Sequence, residues 1–149
     1  MKTINIYLSG PMYLGKEQAT GWRDEVKHQF LAWQSRYGAT NLLRFNIMDP
    51  CARWYEKGPE LESVGSYVVQ MDKMEIAKAD VLLVNATDPG WGTPMEQYIA
   101  FTSGKMVVAF SECEWPSIWA IAHSHRMFKN HADAVSFICS IANNLAKVV

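Results

Sequence analysis

The stretch Asp88 to Gln97 reads DPGWGTPMEQ, and within it Thr93, Pro94, Met95 and Glu96 have the spacing of a capping box at a helix start. Proline at the first helical position completes the pattern. A glutamate placed there has a second use. Beside the anomeric carbon of a sugar, a carboxylate stabilises an oxocarbenium-like transition state or attacks it. Breaking the bond also needs a second acid, or hydrogen bonds to the departing group. The two uses compete, because a glutamate folded back onto Thr93 is unavailable to a sugar. Helix-terminal amides and the macrodipole favour the charged form, so Glu96 is expected as an anion at neutral pH.

Other chemistry-bearing residues form weaker sets. His123 and His125 are two apart, which puts them on opposite faces of a strand and about 200 degrees apart on a helix, so a shared metal is not expected. Ser111, Cys113 and the histidines form no ordered nucleophile and base. Trp54 and Tyr55 offer rings for stacking on a base, but loop aromatics often pack down on the domain. Trp91, beside the glutamate, has the better claim to line a pocket. No metal and no cofactor is called for.

Elements that position Glu96 can be read from the changing period of the apolar residues. Residues 3–10, 41–50, 81–90 and 106–111 read as strands, with a weak fifth at 126–128. Three of them are near-continuous apolar runs, as in parallel strands covered on both faces, and Arg44 marks the second as an edge. Ala19, Trp22, Val26, Phe30 and Trp33 make a helical stripe over 16–36, and Val64, Val68, Met71 and Ala77 suggest a helix over 62–79. Further helices are expected from Pro94 to about Ser103, over 118–122 and over 132–146. The loop from Cys51 to Glu62 is the longest irregular stretch. Alternating β and α elements imply a single three-layer α/β/α domain, flavodoxin-like, with a parallel sheet of about five strands. Ligands in such folds bind beyond the carboxyl ends of the strands. Tyr7 to Gly10, Asp49, and Asp88 to Glu96 then share one rim.

Composition narrows the partners. A net charge of -1 over 149 residues lacks the basic field of a nucleic-acid binder, so polymeric nucleic acid is not expected. Cys51, Cys113 and Cys139 are odd in number and far apart, which fits neither a disulfide framework nor a CxxC metal site. A cytoplasmic setting is expected, with no leader and no membrane span.

Three blocks in order carry a resemblance: IYLSGPM, VVQMDKMEIAKADVLLVNAT, and GTPMEQYIAFTSGK. Approximately from Ile4 to Phe110, the chain resembles the nucleoside 2-deoxyribosyltransferases and the related deoxynucleoside 5'-monophosphate N-glycosidases. The resemblance implies that Glu96 is the nucleophile of a covalent deoxyribosyl intermediate, that Tyr7 orients it, and that Asp72 handles the leaving base. It also implies a small-molecule nucleoside or nucleotide as substrate, water or a second base as acceptor, and a homo-oligomer. Ser9, Gly10, Asp49, Asp88, Gly90, Trp91, Gly92 and Thr93 are the expected substrate-binding residues.

One departure bears on the substrate. Where relatives often carry aspartate or serine six positions before the nucleophile, this chain has Gly90, with Asp88 close by in an Asp-Pro-Gly turn. Glycine brings no negative charge, Ser9 and Gly10 can offer amides to a phosphate, and Arg53 or Lys57 can add charge, although basic side chains such as these mostly lie on the surface. A 5'-monophosphate substrate with water as acceptor is therefore the expectation. Two rivals stand beside it. PGWGTPME also resembles the PGGxGTxxE loop of cytokinin-releasing phosphoribohydrolases, one glycine short, and the same fold can bind a nucleotide as a sensor without turnover.

Overall fold

The computed structural model describes residues 1–12, 15–38, 42–53 and 61–148. Its strands are β1 (Lys2–Ser9), β2 (Leu43–Met48), β3 (Val81–Asn85), β4 (Met106–Phe110) and β5 (Arg126–Phe128). All neighbouring strands are parallel, in the order β2-β1-β3-β4-β5. That is the flavodoxin-like order, and its switch point lies between β1 and β3. Helices α1 (Lys16–Trp33), α2 (Leu61–Lys78), α3 (Gly92–Thr102), α4 (Ile118–Ala122) and α5 (His131–Val148) connect the strands and cover the sheet. A π-helical turn, Gln34–Gly38, follows α1, and a 3-10 turn, Pro50–Arg53, shortens the irregular stretch expected after β2. Trp54, Tyr55 and Lys57 lie outside the described residues.

Strand alternation divides the side chains between two layers. Ile4, Ile6 and Leu8 of β1 join Val26 and Phe30 of α1 and Ile138 of α5 in one core. Tyr7, between them in sequence, points the other way, into a second core with Ile76 of α2 and Ala100 of α3. β3 is buried along its whole length, whereas β2 alternates between buried and exposed at its start, as an edge strand does. Arg44 therefore signalled its position correctly.

Two helical expectations need correction. On α2 the residue sealed against the sheet is Ile76, while Ala77 is exposed, so Ala77 drops out of the expected stripe, whose other members Val64, Val68 and Met71 are half-buried. Much of the inner face overlooks a cavity rather than a core, which blurs the apolar period. Helix α3 begins at Gly92, two residues before Pro94, because Trp91 already has helical angles. Proline is still harmless there, since the first turn leaves its amides unbonded anyway.

Candidate active site

The shifted start of α3 decides what Glu96 does. With the helix starting at Gly92, Thr93 is a buried residue of the first turn and no side chain caps the helix start. Glu96 is then the fifth helical residue, one turn in, with no capping amide to fold back on. It reaches across to β1 instead. Tyr7 and Ser9 are two apart, so alternation puts both on the same face of the strand. The Tyr7 hydroxyl donates to Glu96 Oε1 at 3.1 Å, and the Ser9 hydroxyl donates to Oε2. Both carboxylate oxygens are thus fixed by fully buried residues of the central sheet.

Burial pushes the Glu96 carboxyl up to about 7. The charge of Asp72 adds to the rise, while the bonds from Ser9 and Tyr7 and the charge of Arg23 oppose it. This corrects the expectation of a firmly anionic glutamate. The macrodipole acts mainly within the first turn, and Glu96 lies just beyond it, so desolvation wins. Burial and the neighbouring carboxylates hold the Tyr7 phenol above its ordinary range, which makes it a hydrogen-bond donor at every working pH.

Glu96 faces a cavity of about 530 Å³ between the β1 end, α2 and the start of α3. Gly10, Asp72, Gly90, Trp91, Gly92 and Thr93 line it with Glu96. Gly10 leaves no room for a side chain: a Cβ would lie 2.5 Å from the Trp22 ring. That contact lets the loop after β1 turn tightly over α1. Pro11, Val68, Lys73, Met95 and Ile99 also line the cavity and were not foreseen. Val68, Asp72, Lys73 and Ile76 recur at helical spacing, so one face of α2 forms a wall.

Two expected binding residues lie elsewhere. Asp49 is absent from the described lining and is buried in a separate charge cluster, with Oδ1 3.3 Å from Arg23 Nε and Oδ2 2.5 Å from Lys27 Nζ. Its place after β2 was read correctly, but β2 is an edge strand and its end turns toward α1. Asp88 is exposed and does not line the cavity. Arg53, read from the sequence as a surface side chain that could add charge toward a phosphate, is committed to two carboxylates of α2: Nη2 lies 2.5 Å from Asp72 Oδ1 and Nη1 2.7 Å from Glu75 Oε1. Burial raises the Asp72 carboxyl, with Arg53 opposing the rise most strongly and Tyr7 opposing it through a hydrogen bond.

Gln97, beside the glutamate, was also missed. Its amide donates to Ala120 O at 2.9 Å, His123 O at 3.0 Å and Ser124 Oγ at 2.9 Å, tying α3 to the segment after β4. His123 and His125 are occupied by local bonds, to Trp119 O at 2.9 Å and from the Val107 amide at 3.0 Å. Asp80, from the Ala-Asp-Val part of the motif, accepts the Asn5 amide at 2.8 Å and so registers β1 against β3.

Among solved structures, the fold is similar to a conserved protein from Enterococcus faecalis V583, with TM-score 0.70 and 11% identity over 93% of this chain and 99% of that one. It is also similar to a 2-deoxyribosyltransferase from the psychrotolerant bacterium Bacillus psychrosaccharolyticus, with TM-score 0.57 and 21% identity over 88% of this chain and 90% of that one. No family model and no curated protein matches the sequence. At these identities the likeness is one of fold. Among the described residues, no helix is long and apolar enough to cross a membrane.

Proposed function

We propose that this protein is an enzyme that cleaves the N-glycosidic bond of 2'-deoxynucleosides through a covalent deoxyribosyl intermediate on Glu96, passing the sugar to water or to another nucleobase. The observation that carries the reading is the Glu96 carboxylate, gripped by Tyr7 and Ser9 and facing the cavity. Likeness in fold to a 2-deoxyribosyltransferase, described as a biocatalyst for nucleoside synthesis, supports the class of reaction.

In the first step a Glu96 oxygen bonds to C1', the bond from C1' to the base nitrogen breaks, and its electron pair leaves on the base. A proton from solvent completes the released base. In the second step water or a second base takes C1' and frees the carboxylate. Tyr7 and Ser9 prevent rotation of the carboxylate and share its charge, which keeps the reacting oxygen in line. Asp72, on the wall formed by α2, is placed to accept a hydrogen bond from the base. Burial makes the glutamate a stronger nucleophile than a solvated carboxylate, and the reactive ionised form gains population as the pH rises through about 7.

At the 5' end two observations oppose each other. Gly90 lines the cavity without charge, which suits a phosphate. Yet among the described lining residues Glu62, Asp72 and Glu96 are acidic and Lys73 alone is basic. A phosphate carries up to two negative charges into that field, so the balance favours a free 5'-hydroxyl. The deciding assay supplies deoxynucleosides, with and without 5'-phosphate and with and without an added free base, together with ribonucleotides. A 2-fluoro-deoxyriboside is the covalent probe. Free base from the deoxynucleosides and a sugar adduct on Glu96 are expected. Release from ribonucleotides alone, or tight binding without release, would replace the reading by a phosphoribohydrolase or a sensor.

A further inference from the structure

Arg53 sits outside the grip on Glu96, yet it reaches the cavity wall through Asp72. Asp72 and Glu75 are three apart on α2, where two like charges face each other and repel. The Arg53 guanidinium spans the pair, one nitrogen to each carboxylate, at 2.5 Å and 2.7 Å. All three side chains are mostly buried, so solvent screens these contacts less than a surface pair. Arg53 itself is delivered by the 3-10 turn after β2, and Asp49 builds that turn. Asp49 Oδ1 accepts the Cys51 amide at 2.9 Å, and its main-chain oxygen accepts the Ala52 amide at 3.0 Å. Lys27 and the fully buried Arg23 fix Asp49 in turn. A continuous polar path therefore runs from α1, through Asp49 and the turn, to Arg53 and the cavity.

We infer that Arg53 is a positioning residue that fixes the Asp72 carboxylate at the cavity wall, with Asp49 as the anchor of the turn that carries it. The kinetic part of this assignment rests on the glycosidic reading, while the ionic part does not. Facing Asp72 are Arg53 from the turn, Glu75 from its own helix, Tyr7 from β1 and Glu96 from α3. Lys73 adjoins it on the same lining. Within this group Arg53 is the cation bonded directly to Asp72. Without it, Asp72 is harder to ionise and its carboxyl titrates at higher pH. The fork also sets direction. Lysine restores charge but not the two-point grip.

Carboxyl carbon resonances of Asp72 and Glu96 in the ligand-free protein, titrated in wild type, Arg53→Met and Arg53→Lys, provide the test. Arg53→Met is expected to move the Asp72 titration up by about one pH unit or more, and Arg53→Lys by less. In base-release assays, Arg53→Met should move the acid limb of kcat/KM upward, whereas a merely structural residue would lower the rate with an unmoved limb. Arg53→Lys should keep the limb near wild type but lose about tenfold in rate, through the lost geometry. Near-UV circular dichroism checks the fold of each variant; if Arg53→Met does not fold, the smaller upward shift in Arg53→Lys decides. Unmoved Asp72 titration in a folded variant overturns the inference even where base release proceeds. Wild-type protein that releases no base sinks the glycosidic reading instead, and the resonance titration still decides the role of Arg53.

Discussion

The two faces of one sheet are built to different ends. On the face covered by α1 and α5, apolar side chains close completely: Phe30 packs on Phe45 with ring centroids 4.8 Å apart, and Ile138 is fully buried. On the other face Ile76 is the one described side chain of α2 sealed against the sheet, and the space left toward its N-terminal end and α3 is the cavity. Charge follows the same division. Arg23 and Lys27 neutralise Asp49 on the closed side, whereas the described lining of the cavity carries three acidic residues and one basic one. Close packing holds the sheet rigid, and the open face exploits that rigidity, since Tyr7 and Ser9 hold Glu96 from a central strand whose other side is fully packed.

Substitutions on the two faces should therefore separate activity from stability. The largest expected effect is on the open face: Glu96→Ala should lower base release by about 10³-fold or more, because the nucleophile is lost. Circular dichroism and melting should show an intact fold, since no capping bond goes with the side chain. Near-normal turnover would remove Glu96 from the chemistry. Next comes the closed face. Phe30→Ala should cost about 3–5 kcal/mol in denaturant unfolding, through lost burial and the cavity left behind, while the remaining folded protein keeps its KM. A large KM change with little loss of stability would mean that the faces are not independent.

Tyr7→Phe should reduce the rate by roughly 10 to 100-fold, the worth of one hydrogen bond to a charged group, with binding changed less. An unaltered rate would make Tyr7 a packing residue. The smallest effect is thermodynamic. The Glu96 carboxyl sits at about 7 in the fold, above its ordinary value of 4.5, so the folded state holds this proton more tightly than the unfolded chain. Stability from that proton is present at low pH and is lost as the pH rises from about 4.5 through about 7. Glu96→Gln, which cannot ionise, should therefore melt a few degrees higher than wild type at pH 8 and much closer to it at pH 4. Equal melting temperatures at pH 8 would show that the buried carboxylate costs the fold nothing.

Local pattern was enough for much of the fold and for part of the site. Apolar runs with a period of two or 3.6 depend on neighbours a few residues away, so the strands, the parallel sheet and the α1 stripe could all be read directly. The pairing of Tyr7 and Ser9 on one face of β1 follows from alternation alone, and Gly90 to Glu96 form one contiguous segment whose members must lie together. What Glu96 does with its carboxylate was a different matter. Thr93-Pro94-Met95-Glu96 has the same letters whether it caps a helix or sits inside one, and only the helical angles at Trp91 decided between them.

Sequence by itself determined which residues would gather at the carboxyl ends of β1 and β3, because element order and strand polarity are properties of the chain. Tertiary structure alone decided how the charges pair. Asp49 turned toward α1, Arg53 crossed to residues 19 and 22 positions away, and Glu96 rose toward neutrality. The physical reason is range: hydrophobic periodicity acts along the chain, whereas ion pairing and desolvation depend on distances and burial that exist only after the helices have packed.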